Sequence, residues 1–282
     1  MTTACEIRLD KKVAIVTGAG NGLGKAMAQA LVRAGANVIF ADVDLGAAGA
    51  AVAEVAYKPG CGGAIAMACD ITSSADCERT VKEAVRLFGG LHILVNNAGR
   101  GPTHVEDAPG TKSLKFWEAN EAAWTNVITT NVIGTFYMSR HAAPVLLAGG
   151  WGRIVNVTTS LSTMQRRENS PYGVSKTAIE AETLIWAQDL IGTGVTVNSL
   201  IPGGAANTNF VSAHGRDNAK RTGRPLLEPE VMIAPILWLA SELSDGITGK
   251  RYVGKNWPAD MEVGAAAAKA LEAPVLLPAD RA

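Results

Sequence analysis

Short apolar, β-branched runs alternate with helix-length segments along this 282-residue chain, and that alternation restricts its fold more than any other feature. The strand candidates are Val13–Thr17, Asn37–Asp42, Ala64–Cys69, His92–Asn96, Arg153–Thr159, Val195–Ile201 and Arg251–Val253. Several are apolar without interruption, the pattern of parallel strands covered on both faces. Amphipathic stretches at roughly 22–34, 46–57, 74–88, 112–148 (with a break), 170–191 and 228–242 predict the intervening helices. Gly35, Gly89–Gly90, Gly149–Gly150 and Gly192–Gly194 follow those stretches, where a left-handed C-cap suits glycine. Alternation of this kind, with right-handed crossovers, predicts an α/β fold with one doubly wound, mostly parallel sheet of seven strands. Residues 257–282 are rich in Ala and Pro and read as a C-terminal extension or arm beyond a domain of residues 1–256.

Composition narrows the class. Lys plus Arg and Asp plus Glu both number 26, so the chain has neither the basic excess of a nucleic-acid binder nor the acidic excess of a disordered tail. With 48 % apolar and 18 % charged residues it can bury a substantial core. Cys5, Cys61, Cys69 and Cys77 form no C-x-x-C pair and have no His at ligand spacing, so no metal is expected. They read as thiols of a reducing compartment. Met1–Asp10 has no apolar core of a signal peptide, and no apolar stretch reaches the ~18 residues of a membrane span. The expectation is a soluble, cytoplasmic protein without membrane contact.

The first strand runs into Gly18-Ala19-Gly20-Asn21-Gly22-Leu23-Gly24, and a helix follows. Glycines there allow a tight turn, let the backbone approach a pyrophosphate, and aim a helix N-terminus at it. The spacing is G-x-x-x-G-x-G, neither the G-x-G-x-x-G form nor a Walker A loop, which would need Gly at 19 and Ser or Thr at 26. Asp42 closes the second strand 24 residues past Gly18, where a carboxylate accepts from ribose hydroxyls and repels a 2′-phosphate. NAD is therefore favoured over NADP, with Asp44 a competitor for the same role.

These residues resemble the short-chain dehydrogenase/reductase superfamily. Thr17–Gly24 is similar to its T-G-x-x-x-G-x-G motif, Asn96-Asn97-Ala98-Gly99 to its N-N-A-G motif, and Tyr172-Gly173-Val174-Ser175-Lys176 to its Y-x-x-x-K motif. Pro202-Gly203 resembles the P-G segment near the nicotinamide, and the resemblance spans about residues 10–255. It implies a single Rossmann-type domain, commonly tetrameric, so a homo-oligomer (tetramer or dimer) is expected. It also implies an NAD cofactor held by Gly18, Asn21, Gly22, Leu23, Gly24, Asp42, Val43, Asp70, Ile71, Asn97, Ala98, Gly99, Tyr172, Lys176, Pro202, Gly203, Ala205 and Thr208. Asn207 rivals Thr208, which falls six residues past the proline.

Tyr172 and Lys176 are i and i+4 and share a helix face. A phenol with an ordinary pKa near ~10 needs a neighbouring ammonium and an oxidised nicotinamide to act as base near neutrality. So tuned, it can take a proton from an alcohol or return one to a carbonyl oxygen. The family has Ser thirteen residues before the Tyr; this chain has Thr159 there, which keeps the hydroxyl and adds a methyl. Ser160 is the alternative, and strand parity favours Thr159. Asn131 resembles the family's fourth catalytic residue, a helix Asn supporting a proton relay. The expected activity is hydride transfer between NAD(H) and a secondary alcohol or ketone. An NADP-dependent oxoacyl or ketone reductase and a non-catalytic nucleotide binder are the alternatives.

The substrate is expected among Arg100–Thr103, Leu161–Arg167 and Ala205–Arg224, including Leu161, Met164, Gln165, Phe210, Val211 and His214. Arg166 and Arg167 read first as solvated loop charges and second as an anionic anchor. Trp117, Trp124, Trp186 and Trp238 read as core or subunit contacts.

Overall fold

The strand Val13–Thr17 (β1) is buried at all five residues, as a strand covered on both faces must be. It belongs to a computed structural model that describes residues 3–55, 57–101, 115–223 and 225–276, without the side chains of Cys5, Ala213 and His214. The chain continues through Gly22–Arg33 (α1), Asn37–Asp42 (β2), Leu45–Ala53 (α2), Ala64–Ala68 (β3), Ser74–Phe88 (α3) and Ile93–Asn96 (β4). Next come Glu121–Ile128 (α4), a π-helical turn at Thr129–Ile133, and Gly134–Gly149 (α5). The second half comprises Gly152–Val157 (β5), Leu161–Met164 (α6), Tyr172–Asp189 (α7), Val195–Ile201 (β6), Ala213–Arg221 (α8) and Ile233–Leu239 (α9). Arg251–Val253 (β7), Val263–Ala270 (α10) and Leu271–Glu272 (β8) complete it.

The strand order is β3-β2-β1-β4-β5-β6-β7-β8. The order reverses between β1 and β4, which opens a crevice at the carboxyl ends of the strands. Alternate residues of each strand feed two cores. Ala14 and Val16 pack with Met27 and Leu31 of α1, Ala48 and Ala51 of α2, and Ile236–Leu239 of α9. Val13 and Ile15 pack with Val81 and Ala84 of α3 and with Met138, Ala142 and Leu146 of α5. This is the period of two that makes a doubly covered strand apolar throughout.

The α/β, doubly wound, mostly parallel architecture is as expected, but the sheet among the described residues has eight strands rather than seven. The first seven pair in parallel, whereas β8 pairs antiparallel with β7. The additional strand lies in the 257–282 stretch. There α10 inserts Val263, Ala267 and Ala270 into the core, and β8 covers the sheet edge. Two residues show no hydrophobic alternation, so nothing in the sequence marked them.

Other boundaries shift. β3 stops at Ala68, and β5 runs from Gly152 to Val157, which leaves Thr158 and Thr159 beyond the ladder. The predicted 46–57 helix ends at Ala53, and the 228–242 helix splits into a 3₁₀ turn at Pro229–Met232 and α9. In the 112–148 stretch, residues 112–114 lie outside the described residues. The break there comprises the start of α4 at Glu121, capped by Asn120, and the π turn. Trp238 is core, against Tyr252, while Trp117 is 66 % exposed. Among the described residues no helix is long and apolar enough to cross a membrane, and no three His, Cys, Asp or Glu side chains gather as metal ligands.

On α7, Glu182 has a buried Oε2 that finds no hydrogen-bond partner among the described residues. Burial pushes its carboxyl up to about 7. The folded state therefore keeps a proton that the unfolded chain releases between the ordinary carboxylate range and about 7, so stability falls as pH rises through that window. Glu182→Gln should stabilise the protein by about 1–2 kcal/mol above neutral pH, after discounting for solvent screening, and by much less in mild acid. Thermal melts of both proteins at the two pH values check this. An equal gain at both would show that the charge is not the cause.

Candidate active site

Six strand ends supply the site. The turn after β1 holds Gly18 and Gly22 at φ of +63° and +56°, a region that side chains with a Cβ avoid. Gly24 opens α1 so close to the turn that a Cβ there would lie 2.2 Å from the Gly18 carbonyl oxygen and 2.4 Å from Asn97 Nδ2. The first amides of α1 have no side-chain cap, because Asn21 is exposed and makes no capping bond, and Leu23 is half-buried behind them. That leaves the helix N-terminus to an anion.

Asp42 lies beside this turn at the end of β2. Its Oδ2 accepts from the Gly20 amide at 2.8 Å and its Oδ1 from the Asp44 amide at 3.0 Å. Asp44 is engaged elsewhere, capping α2 through the Ala47 amide at 3.0 Å. Val43 is 73 % exposed at the rim. At the end of β3, Asp70 Oδ1 accepts from the amide and hydroxyl of Thr72 at 2.9 and 2.8 Å. Ile71 is buried against Gly134 of α5.

The β4 end is clasped to the β1 end. Thr17 Oγ1 accepts from the amides of Asn97 and Ala98 at 3.0 and 3.1 Å, and Asn97 Nδ2 donates to the Thr17 and Gly18 carbonyls at 3.0 and 3.2 Å. At the next residue, a Cβ on Gly99 would lie 3.0 Å from Asn131 Oδ1 and 3.7 Å from Lys176 Nζ, so these two side chains converge over it. Asn131 sits in the π turn. Its Oδ1 accepts from the Arg100 amide at 2.7 Å, and its Nδ2 donates to the Arg100 carbonyl at 3.0 Å and to Ser175 Oγ at 2.9 Å.

Tyr172 and Lys176 are both buried on α7. The Thr159 side chain lies beside Tyr172 and pulls its phenol down. Ser160 turns elsewhere, toward Ser162 Oγ at 3.1 Å and Thr163 Oγ1 at 2.9 Å. Phe210 packs against the Tyr172 ring with centroids 5.7 Å apart. Burial pushes the Tyr172 phenol up to about 12, against the Thr159 side chain and the Arg166 charge, which pull it down. Burial also pulls the Lys176 ammonium down to about 8, against Glu180, which holds it up. Lys176 Nζ donates to the Val157 carbonyl at 2.8 Å. In this form desolvation outweighs any lysine effect on the phenol, which keeps its proton through neutral pH.

The β6 end supplies Pro202 and Gly203, with the Pro202 carbonyl accepting from the Lys255 amide at 3.0 Å. Ala205 is bonded to Leu227. Thr208 lies over the glycine turn, since a Cβ on Gly22 would meet its Cγ2 at 2.8 Å. Asn207 instead accepts from Arg216 at 2.6 Å and donates to Glu228 at 3.1 Å. Of the expected substrate lining, Met164, Gln165, Arg166 and Arg167 border a cavity of about 390 Å³ with Phe116 and Trp117. Arg167 pairs with Glu168 at 3.0 Å. Pro102, Thr103, Arg224 and the His214 side chain lie outside the described residues.

The residues that converge here fit a dinucleotide. The turn has no room for a Cβ at its glycines, the helix N-terminus is uncapped, and a carboxylate sits 22 residues past Gly20 to receive hydroxyls. Sequence reasoning did not single out Arg251, whose Nη2 donates to the Thr159 carbonyl at 2.9 Å, or Glu180, which pairs with Arg251. Glu180 lies at the i+8 position from Tyr172, a helical spacing that would have placed it on the same face.

Comparison with known proteins agrees with the fold. The family model for short chain dehydrogenases matches residues 12–219, and the chain belongs to that family. Cyclohexanol dehydrogenase of Acinetobacter sp. (strain SE19) is 30 % identical over 248 residues, covering 87 % of this chain and 94 % of the relative. The solved 3-ketoacyl-(acyl-carrier-protein) reductase of Brucella melitensis, complexed with NADH, is 28 % identical with a TM-score of 0.75, covering 86 % of this chain and 96 % of that one. A structure from Beutenbergia cavernae with NADP bound at low occupancy is 29 % identical with a TM-score of 0.76 and covers 88 % of this chain and 96 % of that one.

Gly24→Ala should reduce dinucleotide affinity at least about tenfold and lower stability by about 1–3 kcal/mol, because neither the Gly18 carbonyl nor the anchored Asn97 can retreat. Gly49→Ala in α2, whose added methyl meets nothing within 4 Å, should be neutral or stabilising. Melting curves and NADH fluorescence titrations of the two variants provide the comparison.

Proposed function

We propose that the protein transfers hydride between NAD(H) and a secondary alcohol or ketone, with Tyr172 as acid and base. The observation that carries this reading is one buried phenol with the Thr159 side chain beside it and, one turn along α7, Lys176, which meets Asn131 over Gly99. The pyrophosphate would rest on Gly18–Gly24 with Asn21, Leu23 and Thr208 around it. Asp42 with Val43 would take the adenosine ribose, and Asp70 with Ile71 the adenine. Asn97–Gly99, Lys176, Pro202, Gly203 and Ala205 would flank the nicotinamide riboside. When bound, the nicotinamide supplies the hydride-accepting and hydride-donating carbon.

The side chains do the rest. Thr159 holds the substrate oxygen beside the Tyr172 hydroxyl. Tyr172 gives that oxygen a proton in ketone reduction and takes one back in alcohol oxidation. Lys176, as an ammonium, favours the phenolate needed in oxidation. Asn131 anchors the Arg100 backbone and, by family analogy, supports proton exchange with solvent. Asp42 supports NAD over NADP, because a 2′-phosphate would meet a carboxylate whose oxygens already face the Gly20 and Asp44 amides. The exposed apolar side chains Phe136, Leu147, Val174 and Ile185 on α5 and α7 support a homo-oligomer.

Absorbance at 340 nm with NAD and a panel of secondary alcohols tests the activity. Tyr172→Phe should lower turnover by about 10²–10⁴-fold and leave NADH binding largely intact. Full turnover in that variant would remove Tyr172 from the chemistry. Thermal shifts should be larger with NAD than with NADP, and the reverse order would overturn the cofactor assignment.

The phenol's position well above neutrality also sets the pH dependence. Alcohol oxidation, which needs the deprotonated oxygen, should accelerate as pH rises above neutral. Ketone reduction, which needs the proton in place, should not. Initial rates in both directions across one buffer series distinguish this from a pH-independent chemical step.

A further inference from the structure

β5 ends at Val157, so Thr158 and Thr159 leave the sheet just where the site needs a fixed hydroxyl. One ladder-like bond remains, from the Thr158 amide to the Leu200 carbonyl at 3.1 Å. The missing constraint comes from Arg251 and Glu180, an ion pair whose side chains are 1 % and 4 % exposed. Arg251 Nη1 donates to Glu180 Oε1, Nη2 donates to the Thr159 carbonyl at 2.9 Å, and Nε donates to Glu272 Oε2 of β8 at 2.8 Å. The same Glu180 Oε1 accepts from the Thr158 hydroxyl.

Both residues of the free segment are thus held, one by its side chain and one by its carbonyl. The holding groups come from β7, from α7 and from the C-terminal strand. Glu180 lies one helical turn past Lys176 and two past Tyr172, on the same face of α7. A buried ion pair adds little net stability compared with apolar residues of the same volume, because desolvation consumes most of its Coulomb gain. A guanidinium does, however, offer directed donors in a fixed fork, which an apolar pair cannot.

We propose that Arg251, backed by Glu180, is a positioning residue that locks the Thr158–Thr159 segment and so aims the Thr159 hydroxyl at the substrate oxygen beside Tyr172. This rests on the reading of Thr159 and Tyr172 as the groups that meet that oxygen.

The test is a mutant cycle. Arg251→Met and Glu180→Leu are introduced together, because removing one partner would strand a buried charge. The pair is examined in the parent and in a Thr159→Ala background, with kcat, KM, NADH affinity by fluorescence titration, and melting temperature measured for each. The expected result is a fall in kcat of about tenfold to a hundredfold in the parent background, with NADH affinity and melting temperature retained. In the Thr159→Ala background the pair should cause a much smaller fall, the part that comes from losing the Glu180 charge that holds Lys176 up, since the Arg251 contribution acts through Thr159. Parental kcat in the pair variant, or the same fall in both backgrounds, would overturn the proposal. Full turnover in Thr159→Ala alone would instead overturn the reading beneath it. Should the pair variant fail to fold, Arg251→Lys gives the same comparison, because it keeps the charge toward Glu180 but lacks the fork that reaches Thr159.

Discussion

The clasp between Thr17 and Asn97 is the interaction on which the rest of the site depends. Strands β1 and β4 are neighbours whose connections leave in opposite directions, so their carboxyl ends border an opening. One hydroxyl and one amide side chain, four hydrogen bonds in all, hold the rims of that opening in register. The glycine turn is then packed against Asn97 and Ala98 so tightly that only Gly fits at position 24. Beyond the clasp, Gly99 carries the backbone under Asn131 and Lys176. The glycine turn and the Asn131–Lys176 end of the site are therefore placed relative to each other by a short, polar connection rather than by the bulk of the core.

Deeper in the sheet a polar layer continues the same logic. Asn96 Nδ2 donates to Asn156 Oδ1 and to Ser139 Oγ, each at 2.9 Å, and Asn156 Nδ2 donates to Thr183 Oγ1 on α7 at 2.9 Å. Buried polar groups of this kind contribute modestly to net stability but impose one arrangement, since any slip leaves a donor unpaired. Here the arrangement fixes α7 against β4 and β5. The Arg251–Glu180 pair repeats the device one layer nearer the site. The helix that bears Tyr172 and Lys176 is thereby referenced to the sheet at two depths.

Much of this was legible in the sequence, for identifiable reasons. Continuously apolar strands and Gly-ended helices report the parallel sheet, because burial on both faces leaves no other composition. The cofactor turn is legible because its glycines answer local steric demands. What the sequence hid was non-local. Leu271–Glu272 forms a strand only because β7 presents an edge, and two residues carry no period of their own. Strand parity favours Thr159 over Ser160, yet both lie past the end of β5, and there Ser160 bonds Ser162 and Thr163 while Thr159 lies beside Tyr172. Arg251 gave no signal: an arginine in a short edge-strand candidate looks solvent-facing until its carboxylate partners, 71 residues upstream and 21 downstream, are folded around it.

Burial dominates the ionisation of the Tyr172–Lys176 pair. Sharing a helix face suggests that the ammonium lowers the phenol, yet the phenol sits at about 12 and the lysine at about 8. Both shifts have desolvation as their largest cause, and desolvation acts against whichever form is charged. Lysine loses part of its charge advantage while its Nζ is directed to the Val157 carbonyl rather than to the phenol. Thr159 and Arg166 pull the phenol down and Glu180 holds the lysine up, each opposing burial without overcoming it. A site built this way keeps its acid protonated at rest. The phenol becomes a base only when positive charge is brought next to it in the same dry pocket, where such a charge acts at low dielectric and is worth far more than in water. On the proposed function, oxidation of an alcohol would then be coupled to occupancy of the site.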